Sequence, residues 1–276
     1  MENFLLQLNV LKDEFDMRLR ETLAYYRSSI LYDCMEYALF SGGKRIRPLF
    51  YIEALKAFDT APTKTDYAVA SAIEFLHTYT LVHDDMPCMD NDDFRRGQPT
   101  VHKKFNEVTA LLAGDALQAA AFEILAKAAF EDANYTKALK EFSYYAGVMG
   151  VVDGQALELR FPNNIKENIF EIYIKKTSAL LTAPLVMAAI VAKKDDEFIC
   201  KIKEFGTSFG MAFQLSDDLL DSEKDKEISF VTCFGKEKTL TQLEIYSQKS
   251  CNLASEIFGK NGFFVDISRY VAERKN

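Results

Sequence analysis

At 276 residues with 49% hydrophobic side chains, the chain has the apolar material for a large core, as one big domain or two ordinary ones. A formal charge of −8 argues against generic nucleic-acid binding, which needs a basic face, and this composition is not that of a disordered chain. The 22 phenylalanines and 13 tyrosines, with no tryptophan and only 6 prolines, favour long packed helices over a loop-rich sheet.

The cysteines at 34, 88, 200, 233 and 251 are scattered and show no C-x-x-C spacing. Neither a disulfide framework nor a structural zinc site is indicated, and a reducing cytoplasm is the expected location. The N-terminus acquires acidic residues early and lacks a basic region followed by an apolar run, so it does not read as a signal peptide. The most apolar segment, 179–192, is shorter than the roughly 20 residues of a membrane span and is expected to be a buried helix.

In chain order, residues 4–36 repeat apolar positions at helical spacing, with Phe4, Leu8, Leu11, Phe15 and Leu19 set among charges, the pattern of amphipathic helices. Ser41-Gly42-Gly43 interrupts them. Pro48 suits the first turn of a new helix, which puts Lys44, Arg45 and Arg47 at or just before its N-terminus. Residues 67–85 read as a long helix, since Ala70, Ile73, Phe75, Leu76, Tyr79 and Leu81 recur at three- and four-residue steps. Further apolar helical runs cover about 106–129, 134–158, 168–192 and 197–221, separated by short breaks such as Phe161-Pro162-Asn163-Asn164. No alternating strand pattern, internal repeat or linker competes. The expectation is an all-α single domain, 1–276, of roughly ten helices.

Asp84, Asp85, Asp90, Asp92 and Asp93 crowd the C-terminal end of the 67–85 helix, and Arg95-Arg96 follow. Like charges repel there, and the helix dipole adds to the repulsion. Solvent alone can account for an exposed acidic loop. A second cluster, Asp217, Asp218 and Asp221, lies inside an apolar helix, where Asp217 and Asp221 sit about 40° apart on the wheel and so share a face. Two such patches suit magnesium, which takes carboxylate oxygens on one side and water or phosphate oxygens on the other. The glycine and terminal glutamate of an EF-hand are missing. Lys44, Arg45, Arg47, Arg95 and Arg96 offer cations for phosphate oxygens. The Gly-Gly-Lys is not a P-loop, because the G-x-x-x-x-G-K-[ST] spacing is absent.

Taken in order, Gly42-Gly43-Lys44-Arg45-Ile46-Arg47-Pro48, His83-Asp84-Asp85 with Asp90, Arg95-Arg96-Gly97, Gly154-Gln155, Lys176-Thr177 and Gln214 to Asp221 resemble the trans-isoprenyl (polyprenyl) diphosphate synthases, most closely the bacterial farnesyl diphosphate synthases. The likeness runs over nearly the whole chain. It implies an isoprenoid synthase fold, an all-α bundle around a deep central cavity, and a homodimer. It further implies three Mg2+ ions holding an allylic diphosphate between Asp84, Asp85 and Asp90 on one wall and Asp217, Asp218 and Asp221 on the other, with Asp84, Asp90 and Asp217 as metal ligands. Arg95, Lys176, Thr177 and Gln214 would hold the allylic diphosphate, and Lys44, Arg47, His77 and Arg96 isopentenyl diphosphate. The implied reaction condenses isopentenyl diphosphate with dimethylallyl and geranyl diphosphates to give farnesyl diphosphate, with no protein nucleophile. A geranylgeranyl or other short-chain product is the alternative. A noncatalytic partner subunit is a further one, and a terpene cyclase would leave the Gly-Gly-Lys and Arg-Arg elements unexplained.

Tyr79 lies five residues before Asp84, about 7.5 Å down the helix axis, where an aromatic ring could stop a growing tail. A simple core tyrosine is the competing reading. His77 and His83 have core or helix-end readings as well. The chain departs from the family after Asp221, where the loop is shorter and Glu227 stands in place of a lysine; Lys224 or Lys226 could substitute. Arg269, Arg274 and Lys275 near the C-terminus could fold over the site, but a frayed end is the default.

Overall fold

The computed structural model describes residues 2–160, 165–220 and 229–274. The first half holds α1 (Glu2–Leu23), α2 (Tyr32–Phe40), α3 (Ile46–Ala57), α4 (Lys64–Asp84), the strands β1 (Phe94–Arg95) and β2 (Gln98–Pro99), α5 (Val101–Lys104) and α6 (Glu107–Glu131). The second holds α7 (Ala133–Ala146), α8 (Val151–Arg160), α9 (Ile165–Tyr173), α10 (Ala179–Val191), α11 (Asp196–Leu220), α12 (Phe230–Phe234), α13 (Lys236–Phe258) and α14 (Phe263–Glu273). The all-α class expected from the spacing is the one observed, with more and shorter segments. The run read as one helix over 134–158 breaks at 147–150, between two glycines that lower helix propensity. Conversely, α9 and α10 are joined by a π-helical turn, Ile174–Ser178, into one continuous helix.

Two compact units are present, and neither is a continuous stretch of chain. One comprises Leu8–Ile52 and Ala61–Leu139. Its centre is α4 packed along α6. The start of α4 is fixed by a capping box, in which the Thr63 hydroxyl accepts from the Asp66 backbone and the Asp66 carboxylate accepts from the Thr63 backbone N–H at 2.8 Å. Asp66 is buried because Tyr51 and Tyr135 both donate to its other oxygen at 2.8 Å. At the far end of α4, His83 occupies space left by Gly114 of α6, where a Cβ would lie 2.1 Å from Nε2. That Nε2 donates to the Leu111 carbonyl at 3.1 Å, so His83 is a satisfied helix-end histidine.

The other unit comprises Met1–Gln7, Glu53–Thr60 and Lys140–Asn276. Its core is rich in phenylalanine: Phe258 stacks on Phe264 at 3.9 Å, and Phe205 meets both edge-on. The helices α10 and α11 approach closely because Gly206 and Gly210 face Thr182 and Ser178. A Cβ at Gly210 would lie 2.4 Å from the Ser178 hydroxyl oxygen. Among the described residues two helices, Glu107–Glu131 and Ile165–Val191, are long and apolar enough to cross a membrane by length and composition. The second is mostly buried, as a core helix of a folded protein is. It contains all but the last residue of the most apolar segment, 179–192, and agrees with the helical run read over 168–192.

Candidate functional site

The first aspartate motif belongs to the unit containing α4. That helix ends at Asp84, and the chain then folds back so that the Asp90 N–H donates to the Asp84 carbonyl at 2.9 Å. Further bonds from Met89 N and Asn91 N to the Met86 carbonyl close the loop, and Asn91 supplies the positive φ of 54° that the reversal needs. Two aspartates six residues apart thereby have their backbones side by side. Asp85 takes a different course. It is buried, and Arg95 donates to its Oδ1 from Nε at 2.7 Å and from Nη2 at 2.6 Å. Burial pushes the Asp85 carboxyl up from its ordinary range, while Arg95 pulls the other way.

Arg95, Arg96 and Gly97 form a β-hairpin, which the sequence reading missed. Arg96 and Gly97 both have positive φ, 54° and 76°, as a two-residue type I′ turn requires. The Arg96 guanidinium donates to the Gly42 carbonyl. Gly42 and Gly43, at φ 109° and 125°, adopt backbone that side chains resist, and a Cβ on Gly43 would lie 2.7 Å from Arg96 Nη1. The Gly-Gly turn therefore seats an arginine as well as turning the chain.

Of the cations after that turn, Lys44 is exposed, whereas Arg45 is buried. Arg45 donates to Asp16 at 2.7 Å, Glu74 at 2.8 Å and the Leu39 carbonyl at 2.7 Å. The expectation that Arg45 offers its charge to a phosphate is therefore corrected, since its donors are turned into the protein as an internal peg. Arg47 contacts His77, with Nη1 donating to Nε2 at 3.2 Å. Burial, followed by the charges of Arg47, Arg96, Arg95 and Arg45, holds the His77 imidazole well below its ordinary range. It is therefore neutral and able to accept. Burial, with the charges of Arg45 and Arg95, also depresses the Arg96 guanidinium, against the opposing pull of Glu74 and Asp85. Tyr79 is buried in α4, edge-on to His83 at 5.7 Å, and burial raises its phenol.

The second motif belongs to the other unit. Lys176 and Thr177 lie on the π turn, a local widening that often marks functional positions. Gly154 of α8 permits close packing there, for its Cβ would lie 2.5 Å from the Lys176 backbone nitrogen. Lys176 pairs with Glu158. Thr177 donates to Gln214 Oε1 at 2.7 Å, and Gln214 Nε2 donates to Asp218 Oδ1 at 3.0 Å. Asp218 is buried, and its other oxygen accepts from Tyr173 OH and from the Phe230 N–H at 2.8 Å. It thus ties the start of α12 to α11. Asp217, one residue earlier, is about one-third exposed and pairs with Arg274 at 2.7 Å. The frayed C-terminus is corrected for Arg274, whose side chain is only 5% exposed. Asp221, Lys224, Lys226, Glu227 and Lys275 lie outside the described residues.

Glu158 and Tyr173 escaped the sequence reading, as did the pairing of Arg274 with Asp217. The one available signal was the polar Lys175-Lys176-Thr177 inside an apolar run, which shifts the helical phase by a residue. The donor chemistry of each motif taken by itself suits magnesium: Asp84 and Asp90 in one unit, and Asp217 in the other, offer hard oxygen ligands from half-exposed or exposed positions. Among the described residues no three His, Cys, Asp or Glu side chains converge into a ready-made cage. Mg2+ is commonly held by one or two carboxylates plus substrate phosphates.

A polyprenyl synthetase family model matches residues 28–231. The chain is 39% identical over 198 residues to the farnesyl diphosphate synthase of Bacillus subtilis, covering 70% of this chain and 67% of that one. It is 40% identical over 206 residues to a heterodimeric geranylgeranyl pyrophosphate synthase large subunit of Arabidopsis thaliana, covering 71% and 55%. The chain spans little more than half the length of several such plant relatives. The crystal structure of an FPP/GFPP synthase from Zymomonas mobilis superposes with a TM-score of 0.87 at 32% identity, covering 98% of this chain and 99% of that one.

Proposed function

Because the chain belongs to the polyprenyl synthetase family, we propose that it is a magnesium-dependent trans-prenyltransferase. It condenses isopentenyl diphosphate with dimethylallyl and then geranyl diphosphate, releasing pyrophosphate and giving farnesyl diphosphate. The observation that carries this reading is that each aspartate motif comes with its own side chains of a kind suited to phosphate oxygens, Arg95, Arg96, Arg47 and His77 around the first and Lys176, Thr177 and Gln214 beside the second. No nucleophile and general base are needed for such chemistry.

Asp84, Asp90 and Asp217 would hold the magnesium, three ions when a diphosphate is bound. When bound, magnesium would supply the positive charge that makes the allylic diphosphate a leaving group. The residues do the rest. Lys176, Thr177, Gln214 and Arg95 hold the allylic diphosphate while its carbon–oxygen bond breaks and the electron pair leaves with pyrophosphate. Lys44, Arg47 and Arg96 hold isopentenyl diphosphate, and neutral His77, accepting from Arg47, keeps that guanidinium aimed. The double bond of isopentenyl diphosphate attacks the cationic carbon, and the proton it then loses passes to the departing pyrophosphate. Asp85 and Asp218 serve as positioning residues, Asp85 through Arg95 and Asp218 through Gln214 and Tyr173. Asp221 completes the second motif by resemblance.

Buried Tyr79 supports a farnesyl product by limiting the tail's depth. Relatives named for geranylgeranyl synthesis, at 40% identity, make that product the second reading. A homodimer is part of the proposal, since α6 turns Val108, Leu111 and Leu112 outward, an apolar face for a second copy. The cytoplasm is the proposed location, in keeping with cysteines that form no framework. The test is pyrophosphate release: it should require both substrates and Mg2+ together, and release from the allylic substrate alone would favour the cyclase reading.

A further inference from the structure

Arg274 stands just past the end of α14, and its guanidinium is held on a single turn of α11. Its Nε donates to the Ser216 hydroxyl at 2.7 Å, and Nη2 donates to the Phe213 carbonyl at 2.7 Å and to Asp217 Oδ1 at 2.7 Å. The guanidinium carbon also lies 4.5 Å from the Phe213 ring centroid. An exposed lysine or arginine beside a carboxylate samples many rotamers and is worth little. This one is fixed by several contacts at once and nearly excluded from solvent, so its charge is a permanent feature of the Asp217 carboxylate.

We propose that Arg274 acts as the resident counter-ion of Asp217, so that a divalent cation binds there tightly only when it arrives with a diphosphate. The inference rests on the reading of Asp217 as a magnesium ligand. A cation approaching Asp217 alone finds one carboxylate oxygen already neutralised and a second positive charge beside it. A diphosphate supplies the missing negative charge and, through the same field, is attracted to both cations. Metal and diphosphate then raise each other's affinity, as coupled ligands must. The same logic is visible at Asp85, where Arg95 neutralises the first motif from within. Arg274 is a positioning residue in this scheme, since it acts through Asp217.

The experiment is a titration of the purified full chain with Mn2+, followed by electron paramagnetic resonance of the free ion, without and with inorganic pyrophosphate. Wild-type protein should bind Mn2+ weakly alone and more tightly with pyrophosphate. Arg274→Gln should bind Mn2+ alone about fivefold or more tighter than wild type and show a smaller gain from pyrophosphate. Arg274→Lys, which retains the charge, should behave as wild type. Arg274→Met, which keeps the packing against Phe213, is the second charge-removing variant, and circular dichroism identifies which variants are folded. Unchanged Mn2+ affinity and unchanged coupling in a folded Gln or Met variant overturn the proposal. Asp217→Asn separates the two levels: if it binds Mn2+ as wild type does, the metal reading of Asp217 fails first.

Discussion

The backbone N–H of Asp90 donates to the carbonyl of Asp84 at 2.9 Å, closing the first aspartate motif into a ring of chain. The six-residue spacing is thus a geometric device that brings two carboxylate-bearing residues together at the end of α4. Replacing either Asp84 or Asp90 by alanine should lower kcat by about 100-fold or more, the scale of losing a main electrostatic contact to the leaving group. Thermal stability should hold or rise, because a negative charge leaves a helix C-terminus. Full turnover in both variants at saturating Mg2+ would contradict the assignment.

Gly154 is the most sensitive point of the second motif. Gly154→Ala would push a methyl group against the Lys176 backbone nitrogen, 2.5 Å away, and force α8 and the π turn apart. The expected cost is about 1–3 kcal/mol of stability, as for other overpacked positions. KM for the allylic substrate should rise more than KM for isopentenyl diphosphate, because Lys176 and Thr177 move with the turn. Steady-state kinetics with each substrate varied in turn reads this directly.

Asp66 offers a stability test remote from the chemistry. Its carboxylate accepts from the Thr63 backbone and from two buried tyrosines. Asp66→Ala removes a capping box and takes from two buried tyrosine hydroxyls their shared acceptor, at an expected loss of about 2–4 kcal/mol. Urea denaturation should show the shift in midpoint, with turnover per folded molecule little changed.

His77 gives the protein a pH dependence of defined sign. Its folded pKa lies below the unfolded value, chiefly through burial and then through neighbouring arginines. Between the two values the unfolded chain binds more protons, so stability is intact above pH about 6.5 and falls as pH drops through and below it. His77→Gln cannot take up that proton. The urea midpoint of wild type should therefore fall relative to His77→Gln between pH 7.5 and 5.5. Parallel midpoints across that range would show that His77 is not the group responsible.

Much of this was legible in the chain. Apolar recurrence at three and four residues gives α4, α6 and α11, because a buried face imposes its period on the sequence. The aspartates, Gly42-Gly43 and Arg95-Arg96-Gly97 stand out because their chemistry is costly unless used. What could not be read depends on contacts between distant residues. Nothing near Arg45 tells that Asp16 and Glu74 surround it, and nothing near Arg274 tells that Asp217 is its partner. The hairpin at Phe94–Pro99 is too short for an alternating pattern, and the π turn shows in the sequence only as the polar Lys175-Lys176-Thr177 inside an apolar run.

Tyr79 carries the chain-length claim. Tyr79→Ala should lengthen the product beyond fifteen carbons with the reaction itself intact, and an unchanged product would remove this ring as the floor.

The most direct measurement is the product distribution from purified protein given radiolabelled isopentenyl diphosphate and dimethylallyl diphosphate, with Mg2+ and with chelator. A labelled fifteen-carbon diphosphate formed only with Mg2+ is the predicted result. A twenty-carbon product would leave the reaction standing and reverse the choice of chain length. No condensation product under any metal condition would contradict the account at its centre.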